Sequence, residues 1–209
     1  MRRPPTLKTT EIFASVQGEG LRQGEPTIFV RLSGCNRRCG FCDTKKAWRG
    51  GREMPVEKIV EEVARLRCGF PAAWVCLTGG EPLAQNVRPL VLRLHEEGLR
   101  VQVETNGTYP PDPRADWHTV SPKPPDYDVH PGFVKRAREV KLVVCRTLTL
   151  DAVRTVRAAF PAATPLFLQP QSNAPWSRRK AFRILGDSCR SGLDGIRLCV
   201  QLHKLYGLR

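Results

Sequence analysis

The sequence predicts an α/β fold, an incomplete, open (β/α) barrel with mainly parallel strands. Three observations predict it. Short apolar, β-branched runs alternate with stretches whose apolar residues recur at helical spacing, the pattern of βαβ units. Only five or six such repeats fit into 209 residues, too few for a closed eight-fold barrel of about 250 residues. The polar, glycine-rich segments follow the strands at their C-terminal ends, where parallel folds gather their chemistry.

Taken in order, residues 27–32 form the first barrel strand and lead into Gly34 and a cysteine-rich loop. Val56, Ile59, Val60, Val63 and Leu66 then follow helical spacing. Strand 74–77 ends in Thr78-Gly79-Gly80-Glu81-Pro82, and a second helix carries Val87, Leu90, Val91 and Leu94. Strand 100–104 runs into Glu104-Thr105-Asn106-Gly107, and strand 119–121 into Ser121-Pro122-Lys123. Strand 139–144 contains a charge, Lys141, for which Glu104 is a candidate partner. A third helix follows on Leu150, Val153, Val156 and Phe160, and strand 166–169 leads to Gln169-Pro170-Gln171-Ser172. The last helix spans 179–189 with Phe182, Leu185 and Cys189 on one face, before a final strand at 196–201. Five strand ends thus meet on one rim.

Composition narrows the class. A hydrophobic content of 41% supports a real core, read as one domain over residues 1–209. No apolar run approaches the ~18 residues that span a bilayer, so no membrane partner is expected. The basic start, Met1-Arg2-Arg3-Pro4-Pro5-Thr6-Leu7-Lys8, lacks the apolar stretch of a secretory signal, and a cytoplasmic location is expected. The formal charge is +14, from 34 Lys and Arg against 20 Asp and Glu. These charges are scattered and no base-stacking aromatic series accompanies them, so a solvated basic surface is favoured over a nucleic-acid partner.

Eight cysteines without a secretion signal read as thiols. Cys76, Cys145 and Cys199 sit inside apolar runs as small core residues, while Cys68 and Cys189 fall near helix ends and receive no role. Cys35, Cys39 and Cys42 form a C-x3-C-x2-C loop spanning residues 34–52 with its basic flanks. Three soft thiolates on one loop suit corners of a [4Fe–4S] cube and leave one iron open. A zinc site is the competing reading, but it calls for a fourth ligand, and His95, His118, His130 and His203 form no second knuckle.

The loop and Thr78-Gly79-Gly80-Glu81-Pro82 together resemble the radical S-adenosylmethionine (SAM) superfamily. Glu11 to Gly20, Phe29 to Cys35, Cys42-Asp43-Thr44, Glu104 to Thr108, Ser121-Pro122-Lys123 and Gln201-Leu202-His203-Lys204 resemble, within it, the 7-carboxy-7-deazaguanine synthase family. The matches run in order over nearly the whole chain.

That resemblance implies a carbon–nitrogen lyase of queuosine and 7-deazapurine biosynthesis. It would contract the ring of 6-carboxy-5,6,7,8-tetrahydropterin to 7-carboxy-7-deazaguanine with loss of ammonia. It implies a radical SAM-type open barrel, a [4Fe–4S] cluster on Cys35, Cys39 and Cys42, SAM on the open iron, and Mg²⁺ at Thr44. Phe41, Cys42, Asp43, Gly79, Gly80, Glu104, Ser121, Pro122, Lys123, Gln169, Pro170, Gln171 and Ser172 would hold SAM. Val16, Gln17, Gly18, Glu19, Arg31 and Thr78 would hold the pterin, Arg31 through its carboxylate. A reductant such as flavodoxin or ferredoxin and a homodimer are implied as well. The C-terminus departs from the family pattern, and no substrate contact is carried over to it. Two competing readings are an activase that installs a glycyl radical in a partner and a zinc-containing nucleic-acid module.

Overall fold

The computed structural model describes residues 4–208, so Met1, Arg2 and Arg3 of the basic N-terminal segment, and Arg209, lie outside the described residues. One nine-stranded sheet runs in the linear order β3-β1-β2-β4-β5-β6-β7-β8-β9. Its strands are β1 (Thr6–Val16), β2 (Pro26–Leu32), β3 (Arg52–Pro55), β4 (Trp74–Gly79), β5 (Arg100–Thr105), β6 (Trp117–Val120), β7 (Ala137–Val144), β8 (Leu166–Pro170) and β9 (Ile196–Leu198). Every pairing from β2 through β9 is parallel. β1 lies antiparallel between β2 and β3. The sheet is open, as expected, with β3 and β9 as its ends.

The longer helices are α1 (Val56–Gly69), α2 (Arg88–Glu96), α3 (Leu150–Ala158) and α4 (Pro175–Arg190), and a single turn, α5 (Leu202–Leu205), follows β9. Two apolar cores lie between sheet and helices. Ile59 and Leu90, from α1 and α2, pack with Ile28 and Leu77 of the sheet. Val153 and Ile184, from α3 and α4, pack with Leu142 and Leu166. Cys76, Cys145 and Cys199 are buried, as expected, and Cys68 and Cys189 are exposed. Burial pushes the Cys199 thiol up to about 12, which keeps it protonated and inert.

Three expectations need correction. β1 and β3 were not among the predicted strands: the inward positions of β1 include Thr9 and Ser15, so its alternation is not one of apolar with polar residues. β9 ends at Leu198 rather than continuing to residue 201. α4 begins at Pro175 and buries Ser177, Ala181, Ile184 and Ser188, whereas Phe182 is 72% exposed and Cys189 lies outside. The inner face is chosen by close approach: Ser177 Oγ donates to the Val144 carbonyl at 2.6 Å and Ser188 Oγ to that of Ile184 at 2.8 Å. Small hydroxyl residues satisfied by backbone therefore outrank the larger apolar ones.

His118 on β6 is buried with its ring edge-on to Phe133 at 5.5 Å, and burial lowers its pKa to about 4. The unfolded chain binds this proton near pH 6.5, the folded chain only near 4. Stability from this group is complete above the unfolded value and falls as pH drops through that window, by about 3 kcal/mol in total. His118→Leu is expected to remove that share of the acid loss, seen as a smaller fall in urea midpoint between about pH 7 and about pH 4.5 than in the parent.

Candidate active site at the open rim

The C-terminal ends of the parallel strands surround a cavity of about 250 Å³. Its upper wall, the cysteine loop, is held by backbone. Gly80 N–H donates to the Leu32 carbonyl at 3.0 Å, Glu81 N–H to Gly34 at 2.7 Å, and Gly34 N–H to Ala47 at 2.9 Å. Gly79 has φ +129°, and a Cβ there would overlap the Leu32 backbone; one at Gly80 would overlap the Gly34 carbonyl. The paired glycines thus let the end of β4 lie directly on the root of the loop. Glu81, fully buried, accepts from Thr105 Oγ1 at 2.7 Å, Asn106 N–H at 2.6 Å and Leu83 N–H at 3.0 Å. It ties the end of β4 to the end of β5, a role the sequence reading did not assign.

Cys35, Cys39 and Cys42 are free thiols that all line the cavity. Burial pushes the Cys39 thiol up; Lys123 opposes that, and the neighbouring Cys35 and Cys42 add to it. Among the described residues, no three His, Cys, Asp or Glu side chains converge on one ion-sized point. Three neighbouring thiols on one loop fit ligands to separate irons of a cube. Thr44 follows, its Oγ1 donating to Asp43 Oδ1 at 3.1 Å. Burial pushes the Asp43 carboxyl up, but Lys204, Gln201 and Thr44 outweigh it and hold the group well below the usual carboxylate range.

The opposite wall is built on charges in the strands. Lys141 of β7 is buried between Glu19, with which it forms an ion pair, and Glu104 at 3.7 Å. Burial would lower the Lys141 pKa, yet Glu104 and Glu19 raise it above the usual lysine range. Burial likewise pushes Glu19 up, and Lys141 and Gln201 bring it below its ordinary value. Glu19 also accepts from Gln169 at 3.0 Å and Gln201 at 2.8 Å. Gln17 donates to Gln102 at 2.9 Å and Glu104 at 3.0 Å. Arg31 faces Thr78 across the β2–β4 register, donates Nε to Glu11 at 2.7 Å and lies 5.4 Å from the centre of the Phe13 ring. Lys123 donates to Ser121 Oγ at 2.5 Å, and Ser121 Oγ to the Lys141 carbonyl at 2.8 Å.

The cavity gathers every predicted site residue except Pro122 and Pro170. Those two are buried away from it. Extended chain sends alternate side chains to opposite faces, so Ser121, Lys123, Gln169 and Gln171 face the cavity and the intervening prolines do not. Lys141, Gln201 and His203 line it and were not predicted to. The motif Gln201-Leu202-His203-Lys204 is the sequence signal for Gln201 and His203, although the tail beyond it departs from the family pattern.

The Radical SAM superfamily model matches residues 29–117. The 7-carboxy-7-deazaguanine synthase of Aquifex aeolicus is 33% identical over 219 residues, covering 100% of this chain and 98% of that protein. The chain belongs to the 7-carboxy-7-deazaguanine synthase family. The family's member from Pyrobaculum aerophilum is 35% identical, covering 97% and 96% of the two chains. The Hyperthermus butylicus member reaches 45% over 146 residues, which span 63% of this chain and 60% of that relative. A crystal structure of QueE from Escherichia coli superposes with a TM-score of 0.78 at 29% identity over 95% of each chain. Streptococcus suis SuiB bound to S-adenosylmethionine, at 13% identity and a TM-score of 0.58, shares the fold alone.

Two substitutions test this construction. Gly80→Ala puts a methyl into the Gly34 carbonyl and is expected to destabilise by about 2 kcal/mol or more, read from the denaturant midpoint, and to reduce iron retained after anaerobic reconstitution. Lys141→Met leaves Glu19 and Glu104 facing each other without the buried ammonium and should cost about 3–5 kcal/mol.

Proposed function

We propose that this chain is a 7-carboxy-7-deazaguanine synthase: it converts 6-carboxy-5,6,7,8-tetrahydropterin into 7-carboxy-7-deazaguanine with loss of ammonia, a carbon–nitrogen lyase reaction of queuosine biosynthesis. The observation that carries this is one cavity in which three loop thiols face Glu19, Arg31 and Thr78, in a chain alignable end to end with family members. Residues 1–209 are read as one domain, with the cluster loop at 34–52.

When bound, the cluster and SAM supply one-electron chemistry, reductive cleavage of a carbon–sulfur bond that leads to hydrogen-atom abstraction from the substrate. Cys35, Cys39 and Cys42 would hold the cluster. Gly79, Gly80, Glu104, Ser121, Lys123, Gln169, Gln171 and Ser172, together with Phe41, Cys42 and Asp43, would hold SAM, with Pro122 and Pro170 shaping the turns behind it. The chain itself supplies position and charge. Arg31, on a rigid strand, offers a planar cation to the pterin carboxylate, while Glu11 fixes its Nε. Glu19 stays ionised beside Lys141 and can accept N–H groups from the aminopyrimidinone edge. The stacked rings of Phe13 and Phe29, with centroids 5.2 Å apart, give this side of the cavity an apolar wall.

Mg²⁺ at Thr44 is part of the proposal: a hydroxyl with substrate oxygens and water suits a hard cation that keeps most of its waters. A homodimer, a cytoplasmic location and a flavodoxin- or ferredoxin-like reductant belong to the same reading. Among the described residues, no helix is long and apolar enough to cross a membrane.

The test is anaerobic turnover with 6-carboxytetrahydropterin, SAM, Mg²⁺ and a reductant, with product detected by mass. The product is expected from the parent, and replacing all three loop cysteines with alanine should abolish both bound iron and turnover. A parent with a filled cluster that makes no 7-carboxy-7-deazaguanine overturns the assignment.

A further inference from the structure

The segment after β9 forms a strap across the cavity mouth. Leu202 N–H donates to the Gly18 carbonyl at 2.9 Å, and Gly18 lacks the side chain that would otherwise overlap the His203 ring. Gln201 and Asn173 exchange two bonds, Gln201 N–H to Asn173 Oδ1 at 3.0 Å and Asn173 Nδ2 to the Gln201 carbonyl at 2.9 Å. Asn173 and Ser172 both adopt the left-handed conformation, at φ +52° and +51°, so this exchange pins a strained turn. The strap is therefore bonded to two segments of the site before its longest side chains are considered.

Those side chains reach the two carboxylates that face each other across the mouth. Gln201 Nε2 donates to Glu19 Oε1 at 2.8 Å and to Asp43 Oδ2 at 3.1 Å. Lys204 Nζ donates to the same Asp43 oxygen at 2.7 Å and to Ser172 Oγ at 3.3 Å. The amide orientation of Gln201 is dictated by this contact, because the reverse orientation would set its oxygen against two anions. Its own oxygen is buried and meets no hydrogen-bond partner among the described residues, in a side chain almost wholly buried. Charge balance alone does not require Gln201, since Glu19 already has Lys141 and Asp43 has Lys204. What the shared amide adds is a fixed distance between the two carboxylates.

We propose that Gln201 and Lys204 are positioning residues of the synthase reaction, a clasp that sets the substrate-side carboxylate Glu19 against the cluster-loop carboxylate Asp43. The inference rests on the function proposed above. Through Glu19 the clasp fixes the pterin edge, and through Asp43 it fixes Thr44 and the last cluster cysteine, so the two halves of the reaction meet at one geometry.

The experiment uses the full chain, reconstituted anaerobically, with Gln201→Leu, Gln201→Asn, Lys204→Met and Lys204→Arg. Iron and sulfide content, SAM affinity, and kcat and KM for 6-carboxytetrahydropterin are measured for each. Gln201→Leu should raise the pterin KM about tenfold or more with iron content and SAM affinity kept, and Gln201→Asn, which folds with the donor drawn back by one methylene, should do the same. Lys204→Met should lower kcat about tenfold, and Lys204→Arg should recover it to within about threefold. The clasp is overturned by kinetics unchanged within about twofold in filled Gln201 and Lys204 variants, by losses that merely follow iron content, or by an arginine no better than methionine. A filled parent that forms no product instead overturns the function itself, and the clasp with it.

Discussion

The site depends on one backbone contact, the seating of Gly79-Gly80-Glu81 on Leu32 and Gly34. Parallel pairing of β4 with β2 runs to Leu32 and Gly79, and the next two hydrogen bonds continue it past the strands into the loop. The root of the cysteine loop is therefore anchored to the end of the sheet. A ligand loop anchored this way keeps its three sulfurs within reach of the strand ends where the other functional groups sit. The same seating brings Glu81 beneath the rim, where it fixes Thr105 and Asn106, and Asn106 in turn donates to Asn36 of the loop at 2.8 Å.

Around that frame the cavity's carboxylates are paired, although the whole chain is strongly basic. Glu19, Glu104 and Asp43 are met inside or at the mouth by Lys141 and Lys204. Lys141, Glu19 and Glu104 are buried or half-buried, so each partner is needed there: an ion pair in that setting is strongly destabilising when halved. Further positive charge lies on α4, where Arg178, Arg179, Arg183 and Arg190 surround the exposed Phe182.

Most of the fold was legible because the strands have an outer face that packs on helices. Val101 and Val103, Val140 and Leu142, Leu166 and Leu168 all face the apolar cores, and they mark β5, β7 and β8 in the sequence. β1 was hidden because it inserts between two neighbours with Thr and Ser at inward positions. The buried face of α4 was misread because hydroxyls bonded to backbone occupy it, and periodicity of large apolar residues cannot register them. Within the site, the loop thiols and the glycine pair stood out through spacing. Gln201 and His203 lie in a motif visible in the sequence, but their place in the cavity follows from a strap crossing back over β-strand ends, a long-range closure that local spacing does not encode.

The inner face of the sheet explains why an open barrel, rather than a closed one, suits this chemistry. A closed barrel fills its interior with branched apolar side chains in layers. Here the inner positions of successive strands are polar: Gln102 and Glu104 on β5, Thr119 on β6, Glu139 and Lys141 on β7, Gln169 on β8. They satisfy one another in sequence. Gln17 donates to Gln102 at 2.9 Å, Gln102 to Thr119 at 2.9 Å, and Thr119 to Glu139 at 2.7 Å, with Leu21 N–H closing on Glu139 at 2.6 Å. Burial pushes the Glu139 carboxyl up, and these donors keep it bound within the network. Such a relay is stable only when every member has its partner, and it leaves Glu19, Glu104 and Lys141 standing at its upper end with fixed orientations. The polar interior is thus a scaffold beneath the cavity, and the site inherits its precision from strands that could afford polarity because the barrel never closes.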